Sequence, residues 1–275
     1  MELGDTDNRS DQRRDRIAGR VKANFLASYA RYWQRRISPD AVERAFPSMP
    51  EFNAINAMAV AAVALIILAV VADPFLRAFV RIIDPQFKQL FLDWQIIGKS
   101  SWMLTVTGIL SLVLLAIGLS SADMRRRLRC LHVATISGYV FWAVALPGIL
   151  VAVIKQVVGR TRPFAAGENA YWDLVPWSGY EHASFPSGDA CNAGAFAMAL
   201  GLLFPQYRPA FAAYAVLVAF GRVISERHFL TDVCAGLFIG ALGAFLLALW
   251  LARRGHVFKV TKSGALRLRG NRIFS

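Results

Sequence analysis

Apolar residues occur in six long blocks along this chain of 275 residues, and short polar segments separate the blocks. Most of the blocks approach the roughly 20 residues that a helix needs to cross the hydrocarbon core of a bilayer. The fourth and fifth are short, and the prolines between them predict a tight turn. The pattern therefore predicts an all-α fold, a bundle of six transmembrane helices. The blocks cover approximately residues 54–72, 101–120, 131–154, 190–205, 209–225 and 232–252.

The polar residues before the first block predict two further segments. Residues 1–20 have the composition of a disordered tail. Residues 21–37 place Val21, Phe25 and Tyr29 at helical spacing, with most Lys and Arg residues on other positions. This pattern predicts an amphipathic helix lying at the membrane interface, although a partner-binding or solvated helix has the same pattern. The predicted domains are a disordered polar tail (1–20), an amphipathic juxtamembrane segment (21–52), a six-helix membrane domain (53–252) and a basic cytoplasmic tail (253–275).

Composition and charge agree with a membrane protein and predict its orientation. Hydrophobic residues make up 56% of the chain and charged residues only 18%, whereas soluble domains carry about 25% charged residues. The net charge is +13, and 22 of the 31 Lys and Arg residues fall on the side of the bundle that holds the N-terminus. By the positive-inside rule both termini are cytoplasmic. The basic residues thus indicate topology, and no nucleic-acid partner is predicted.

Candidate chemistry lies in three polar segments that this topology places together on the outer face. The first, K-Q-V-V-G-R-T-R-P, begins at Lys155, and the second, P-S-G-D, begins at Pro186. The third, R-V-I-S-E-R-H-F-L-T-D, runs from Arg222 to Asp232. Each segment adjoins an apolar block, so each predicts a cluster of polar side chains at a helix end.

The residue types in these segments suit phosphate chemistry. Lys155, Arg162 and Arg222 can surround a phosphate, because arginine offers forked hydrogen bonds to its oxygens. Ser187 and Gly188 begin a predicted helix, whose free backbone N–H groups favour an anion.

The third segment contains a candidate nucleophile. His228 and Asp232 are four residues apart, and a helical turn brings them to one face. An aspartate in that position can hold one imidazole nitrogen and leave the other free to attack phosphorus.

The pattern K-x6-R-P, P-S-G and R-x5-H-x3-D resembles the active site of the type-2 phosphatidic acid phosphatase family, which shares that site with vanadium haloperoxidases. The resemblance covers roughly residues 100–252. It implies a six-helix membrane fold and a metal-independent phosphatase with a phosphohistidine intermediate. It implies that His228 is the nucleophile and Asp232 its orienting partner. The implied phosphoryl-binding residues are Lys155, Arg162, Ser187, Gly188 and Arg222.

The sequence departs from the family pattern at two positions. Gly221 replaces a serine, which is a minor loss. Asp189 replaces the histidine that serves in the family as the general acid, and we expect Asp189 to take that role. A helix-capping role without catalysis, with His182 as the replacement acid, remains an alternative.

Other polar and aromatic residues of the outer segments have two interpretations each. Arg160 and Arg227 are either head-group contacts or solvated charges. The aromatic residues of the long loop form either an interfacial belt or a lid over the lipid head group. These residues are Tyr171, Trp172, Trp177 and Tyr180.

These features predict an integral lipid phosphatase of the cell inner membrane, with its active site on the periplasmic face. The candidate substrates are lipid A phosphate, undecaprenyl pyrophosphate, phosphatidylglycerol phosphate and phosphatidate. A carboxylic acid in place of histidine favours leaving groups that need little protonation, and so lipid A 1-phosphate or a polyprenyl pyrophosphate. The alternatives are a lipid phosphotransferase with the same site and a catalytically degenerate membrane scaffold. No metal or other cofactor is predicted, and the oligomeric state stays open.

Overall fold

Seven α-helices and one β-hairpin form the computed structural model, which describes residues 51–167, 171–261 and 266–269. The predicted polar tail and amphipathic helix lie outside the described residues. Short 3₁₀ turns occupy Trp94–Gly98, Tyr180–His182 and Pro205–Tyr207. The α-helices are α1 (Glu51–Arg81), α2 (Pro85–Asp93), α3 (Ser100–Ser120), α4 (Met124–Val158), α5 (Gly188–Leu203), α6 (Arg208–Ile224) and α7 (Leu230–Arg253), and the strands are β1 (Phe258–Val260) and β2 (Leu266–Leu268).

Each of the six apolar blocks forms one helix, and the short helix α2 is an addition that the pattern did not predict. Within the described part of the chain, four helical segments are long and apolar enough to cross a membrane. The helix α5 is also apolar but has only 16 residues. The predicted all-α membrane fold is therefore confirmed. The four segments are Pro85–Ser120, Met124–Val158, Pro205–Ile224 and Leu230–Arg253.

Glycines allow the backbones of α5 and α7 to pack in direct contact. A methyl group added at Gly240 would overlap the carbonyl oxygen of Cys191, and one at Gly236 would overlap that of Ser187. From the other side, Gly194 approaches the backbone of Leu237 in the same way. This close packing fixes the beginning of α7 beside the beginning of α5, where the second and third polar segments lie.

Replacing Gly240 with alanine is expected to destabilise the protein. The added methyl group has to separate the two backbones, and overpacking of this kind costs about 1–3 kcal/mol in the free energy of unfolding. Thermal unfolding in detergent measures the effect. The matched control is Gly138→Ala, whose new methyl group would lie 3.4 Å from Ser111 Oγ, an ordinary contact. Equal stability of the two variants would contradict the proposed close packing.

A left-handed glycine ends α4 between Lys155 and Arg160 of the first segment. Gly159 has φ 62° and caps the helix, and its N–H donates to the carbonyl of Lys155 at 3.0 Å. A side chain here would overlap the backbone of Val175 and Pro176, and glycine adopts positive φ without strain. The chain turns out of α4 here, and Arg160 then pairs with Leu174 in an isolated antiparallel bridge.

The C-terminal hairpin closes the opposite end of the bundle. Its strands β1 and β2 are antiparallel, with Phe258 opposite Leu268. The ring of Phe258 is fully buried and packs edge-to-face against Tyr139 of α4, with 4.9 Å between the ring centroids. Part of the segment predicted as a basic tail is therefore folded onto the core.

Candidate active site

The three polar segments meet where α4 ends and where α5 and α7 begin. The N–H of Ser187 donates to the carbonyl of Asp232 at 2.9 Å, which joins the second segment to the third. Nη1 of Arg162 donates to the carbonyl of Arg227 at 3.3 Å, which joins the first to the third. The structure thus brings together the residues that the sequence predicted to lie close to one another.

His228 presents a free nitrogen at this junction. The residue is buried, and its Nδ1 lies 2.8 Å from the carbonyl oxygen of Ser184. A carbonyl only accepts, so Nδ1 carries the hydrogen and Nε2 keeps its lone pair. None of the described residues hydrogen bonds to Nε2. Burial lowers the pKa of His228 to about 3, so the ring is neutral near neutral pH and its lone pair is available for attack.

Asp232 lies beside His228 but has other hydrogen-bond donors. Its Oδ2 is 3.8 Å from Nδ1 of His228, beyond hydrogen-bond range. That oxygen accepts from Ser184 Oγ at 2.5 Å and from the backbone N–H of Phe229 at 2.8 Å. Asp232 therefore caps the first turn of α7 and holds Ser184, whose carbonyl orients the histidine. Its effect on the ring is electrostatic rather than a direct hydrogen bond.

Arg162 is held by the loops around it. Its Nε donates to the carbonyl of Tyr180 at 2.9 Å, and its Nη2 donates to that of Ala183 at 3.2 Å. With the bond from Nη1 to Arg227, three of its five N–H groups are used. Its guanidinium also lies over the Tyr180 ring, 4.0 Å from the centroid. The remaining two N–H groups are fixed in orientation and suit phosphoryl oxygens.

Arg222 and Lys155 complete a cluster of three cations. Nε of Arg222 lies 3.2 Å from Oδ2 of Asp189, and its Nη1 donates to Gln95 at 3.4 Å. The ammonium of Lys155 is near Gly188, because a methyl group added there would lie 3.5 Å from Nζ. Both arginines and Asp189 are near enough to act electrostatically on Lys155. Three cations against one carboxylate leave an excess of positive charge beside His228, which suits a dianion such as phosphate.

The start of α5 contributes its amide groups to this site. Ser187 is buried and caps the helix, since its Oγ accepts from the N–H of Ala190 at 3.4 Å. Its hydroxyl hydrogen remains available to an anion. The helix dipole adds further positive potential at the same point.

The two candidate general acids lie in different places. Asp189 is in the first turn of α5, close to Arg222. Nδ1 of His182 lies 2.8 Å from Oγ1 of Thr161, which in turn donates to Asp173 at 2.8 Å. His182 is thus held by Thr161, whereas Asp189 lies beside one of the phosphate-binding arginines, and this arrangement favours Asp189 as the acid.

Arg160 is neither a head-group contact nor a solvated charge, so both sequence-based interpretations were wrong. It is fully buried, and Nη1 donates to Oδ1 of Asp232 at 2.7 Å while Nη2 donates to Oδ2 of Asp73 at 2.9 Å. Neither Asp73 nor Ser184 was among the predicted site residues. A lone acid at the end of the first apolar block was the one available signal for Asp73, because charges in membrane helices are usually functional.

An open groove of about 620 Å³ lies between α3, α4 and the start of α5 and reaches Lys155 of the cation cluster. Gly188 and Asp189 line it beside Lys155. Most of its remaining wall is apolar and comes from α3 and α4. A lipid can therefore place its phosphate at the cations while its hydrocarbon stays in the groove. The apolar lining residues include Leu104, Phe141, Trp142, Ile149 and Val151.

Comparison with known proteins connects this geometry to a family. Residues 137–256 match the family model described as the PAP2 superfamily. A protein of Rhizobium etli named Lipid A 1-phosphatase is 34% identical over 172 residues, which cover 61% of this chain and 72% of that protein. The chain belongs to the PAP2 superfamily. A Rhizobium johnstonii protein of the same name is 38% identical over 141 residues, and the match spans 51% of this chain and 58% of that relative's length.

Two solved structures are similar to this chain. One is the crystal structure of LpxE from Aquifex aeolicus, with 22% identity, a TM-score of 0.45, and coverage of 63% of this chain and 92% of that one. The other is a transmembrane PAP2-type phosphatidylglycerolphosphate phosphatase from Bacillus subtilis, with 23% identity, a TM-score of 0.47, and coverage of 70% and 94%.

The predicted type-2 phosphatidic acid phosphatase family is thereby confirmed, and so is the membrane character of the protein. The relatives' names also support the predicted enzyme class, a phosphatase that acts on lipid phosphates. The PAP2 match contains all three polar segments but not helix α1.

Proposed function

We propose that this PAP2 protein is a membrane lipid phosphatase that hydrolyses the 1-phosphate of lipid A. The observation that carries the proposal is the excess of positive charge around the unprotonated Nε2 of His228, a combination that suits nucleophilic attack on a bound phosphate. The groove supports a lipid rather than a soluble substrate. The two relatives named Lipid A 1-phosphatase support the position that is hydrolysed.

In the first step of the proposed reaction, the phosphoryl oxygens contact Lys155, Arg162, Arg222 and the start of α5. The lone pair of His228 Nε2 forms a bond to phosphorus, and the bond from phosphorus to the lipid oxygen breaks. The leaving oxygen takes that electron pair and a proton from Asp189. The phosphorylated ring keeps its hydrogen on Nδ1 and becomes positive, and the carboxylate of Asp232 stabilises it. Fixed cations stabilise the transferring group without reorganisation, usually the largest contribution to such a rate.

In the second step, water hydrolyses the phosphohistidine. Asp189, now ionised, accepts a proton as the water oxygen bonds to phosphorus. The electrons of the N–P bond return to Nε2. Inorganic phosphate leaves, and both His228 and Asp189 regain their starting forms.

Asp189 supports the choice of the 1-phosphate. A carboxyl group is less often protonated near neutral pH than an imidazolium. The oxygen at the anomeric carbon of a sugar leaves more easily than a simple alkoxide, so it depends less on the acid. A sugar 1-phosphate is therefore a better substrate for this site than phosphatidate.

A phosphate-release assay tests the proposal. The purified protein is given lipid A with a 1-phosphate, lipid A with a 4′-phosphate, undecaprenyl pyrophosphate, phosphatidylglycerol phosphate and phosphatidate, with His228→Ala as the control. We expect the highest kcat/KM on the 1-phosphate. Comparable or faster hydrolysis of the 4′-phosphate or phosphatidate would overturn the substrate choice, and release from none of the lipids would overturn the phosphatase itself.

The general acid is tested by Asp189→Asn. General acids contribute about 10²- to 10⁴-fold to rates, and we expect a loss in that range on phosphatidate. A smaller loss is expected on a pyrophosphate, whose leaving group needs less protonation. Steady-state kinetics on both lipids measures the difference. Asp173→Asn, which alters the acceptor of the Thr161 hydroxyl that contacts His182, is the control and should stay within about threefold of wild type. Equal losses on both lipids in Asp189→Asn would exclude Asp189 as the acid.

We further propose that the active site faces the periplasm from the inner membrane and that both termini are cytoplasmic. The distribution of Lys and Arg supports this orientation. Single cysteines at Ser178 and Arg126, in a chain without its native cysteines, are expected to react with an impermeant reagent from opposite sides. Position 178 should be labelled in intact cells and position 126 only after the membrane is opened. The reverse result would invert the proposed topology.

A further inference from the structure

Asp73 is a buried carboxylate that belongs to none of the three motifs. It lies on α1, outside the residues that match the PAP2 family, and 87 positions before Arg160. Its Oδ2 accepts from Nη2 of Arg160 at 2.9 Å and from the hydroxyl of Thr231. Its Oδ1 accepts from the backbone N–H of Thr231 at 3.1 Å. Asp73 thus satisfies an N–H group in the first turn of α7, which the helix itself cannot satisfy.

Arg160 joins Asp73 to the histidine. Its Nη1 donates to Asp232 at 2.7 Å and to Oγ1 of Thr231 at 2.8 Å. The side chains of Asp73, Arg160 and Asp232 are all fully buried. Asp232 in turn lies 3.8 Å from Nδ1 of His228. A continuous row of buried charges therefore runs from α1 to the proposed nucleophile.

The net charge of this row matters for the reaction. With all three groups ionised, Asp73, Arg160 and Asp232 carry a net charge of −1. As His228 bonds to phosphorus, its ring gains a positive charge, and a net negative row stabilises that charge. If Asp73 is removed, the positive charge of Arg160 cancels the negative charge of Asp232, and the ring faces a neutral pair. Charges interact strongly in a buried setting, so this difference in net charge changes the activation barrier of phosphoryl transfer.

We infer that Asp73 is a positioning residue for phosphoryl transfer: it neutralises Arg160, so that Asp232 acts on His228 as an uncompensated carboxylate, and it fixes the start of α7 through Thr231. This inference rests on the proposed phosphohistidine reaction. It gives α1, through Asp73, a role in the reaction at the three polar segments.

A second substitution that restores the net charge of the row separates this role from a purely structural one. Asp73→Asn leaves the row neutral, and Arg160→Met leaves it at −2. The double variant returns it to −1, although it has lost both partners' hydrogen bonds. A structural role predicts that the double variant is worse than Asp73→Asn, whereas the electrostatic role predicts recovery.

The experiment measures steady-state kinetics on the preferred lipid and the dissociation constant of vanadate, which mimics the transferring phosphoryl group. We expect Asp73→Asn to lower kcat and weaken vanadate binding by about 10- to 100-fold, as for outer partners of reactive histidines in metal sites. KM should change little, because Asp73 does not reach the substrate. The double variant should recover most of the loss. Asp123→Asn, which alters the cap at the far end of α4, is the matched control.

Two outcomes separate the inference from the proposed function. If the wild type releases no phosphate from any lipid but binds vanadate with the expected pattern, the proposed phosphatase function is overturned, while the effect of Asp73 on the phosphoryl-binding site stands. If the wild type is active and Asp73→Asn equals it in kcat and vanadate affinity, the inference is overturned and the proposed function stands. A double variant less active than Asp73→Asn also overturns the inference.

Discussion

Replacing His228 with alanine is expected to lower kcat on the preferred lipid phosphate by about 10⁵-fold or more, comparable with the loss of a protease nucleophile. Arg162 and Arg222 lie near enough to act electrostatically on His228, and an arginine, which stays protonated, cannot attack phosphorus in its place. The covalent intermediate should disappear as well. Rapid quenching with radiolabelled substrate traps the acid-labile phosphohistidine in wild type and should trap none in the variant.

A second histidine provides the control for this experiment. His132 lies on α4, away from the three polar segments, and His132→Gln should retain both turnover and labelling. Turnover of His228→Ala within about tenfold of wild type would refute the covalent mechanism.

Arg162→Lys is expected to lower activity by about 100-fold or more, equivalent to about 2.7 kcal/mol of transition-state stabilisation. The charge is retained, but an ammonium cannot reproduce the planar set of N–H groups that donate to the carbonyls of Tyr180, Ala183 and Arg227. Both the phosphoryl contacts and the loop that positions them are therefore weakened. Initial rates at saturating and at low substrate separate the two effects.

Arg227→Lys is the matched control, because Arg227 contacts Arg162 through its backbone carbonyl, which the substitution retains. Its side chain donates to the hydroxyl of Tyr180. We expect its activity to stay within about fivefold of wild type. If Arg162→Lys and Arg227→Lys lose activity equally, Arg162 has no special role in binding the phosphoryl group.

Much of this site was predictable because its residues lie in short segments with distinctive spacing. Lys155, Ser187 and His228 each adjoin an apolar block, so hydropathy alone placed them at helix ends. The pairing of Asp232 with His228 followed from the helical period. The spacing could not predict the hydrogen-bond partner of each side chain. Nδ1 of His228, for example, bonds the carbonyl of Ser184 and not Asp232.

The contacts that were missed join residues far apart in the chain. Arg160 looked like a surface charge because its partner Asp73 lies 87 residues earlier, in a different helix. The hairpin of β1 and β2 was missed because its strands have three residues each, too few for a periodic pattern. The side chain that stabilises it, Phe258, packs on Tyr139 from another part of the sequence.

The shortness of α5 has a consequence for how the enzyme meets its substrate. Its 16 residues rise about 24 Å, while the hydrocarbon core of a bilayer is about 30 Å thick. We therefore expect the amide groups of Ser187 and Gly188 to lie below the plane of the neighbouring head groups. A lipid would then have to sink out of its leaflet, or the leaflet to thin, before its phosphate reached His228. This hydrophobic mismatch predicts that the thickness of the surrounding membrane affects turnover, alongside the chemistry of the site.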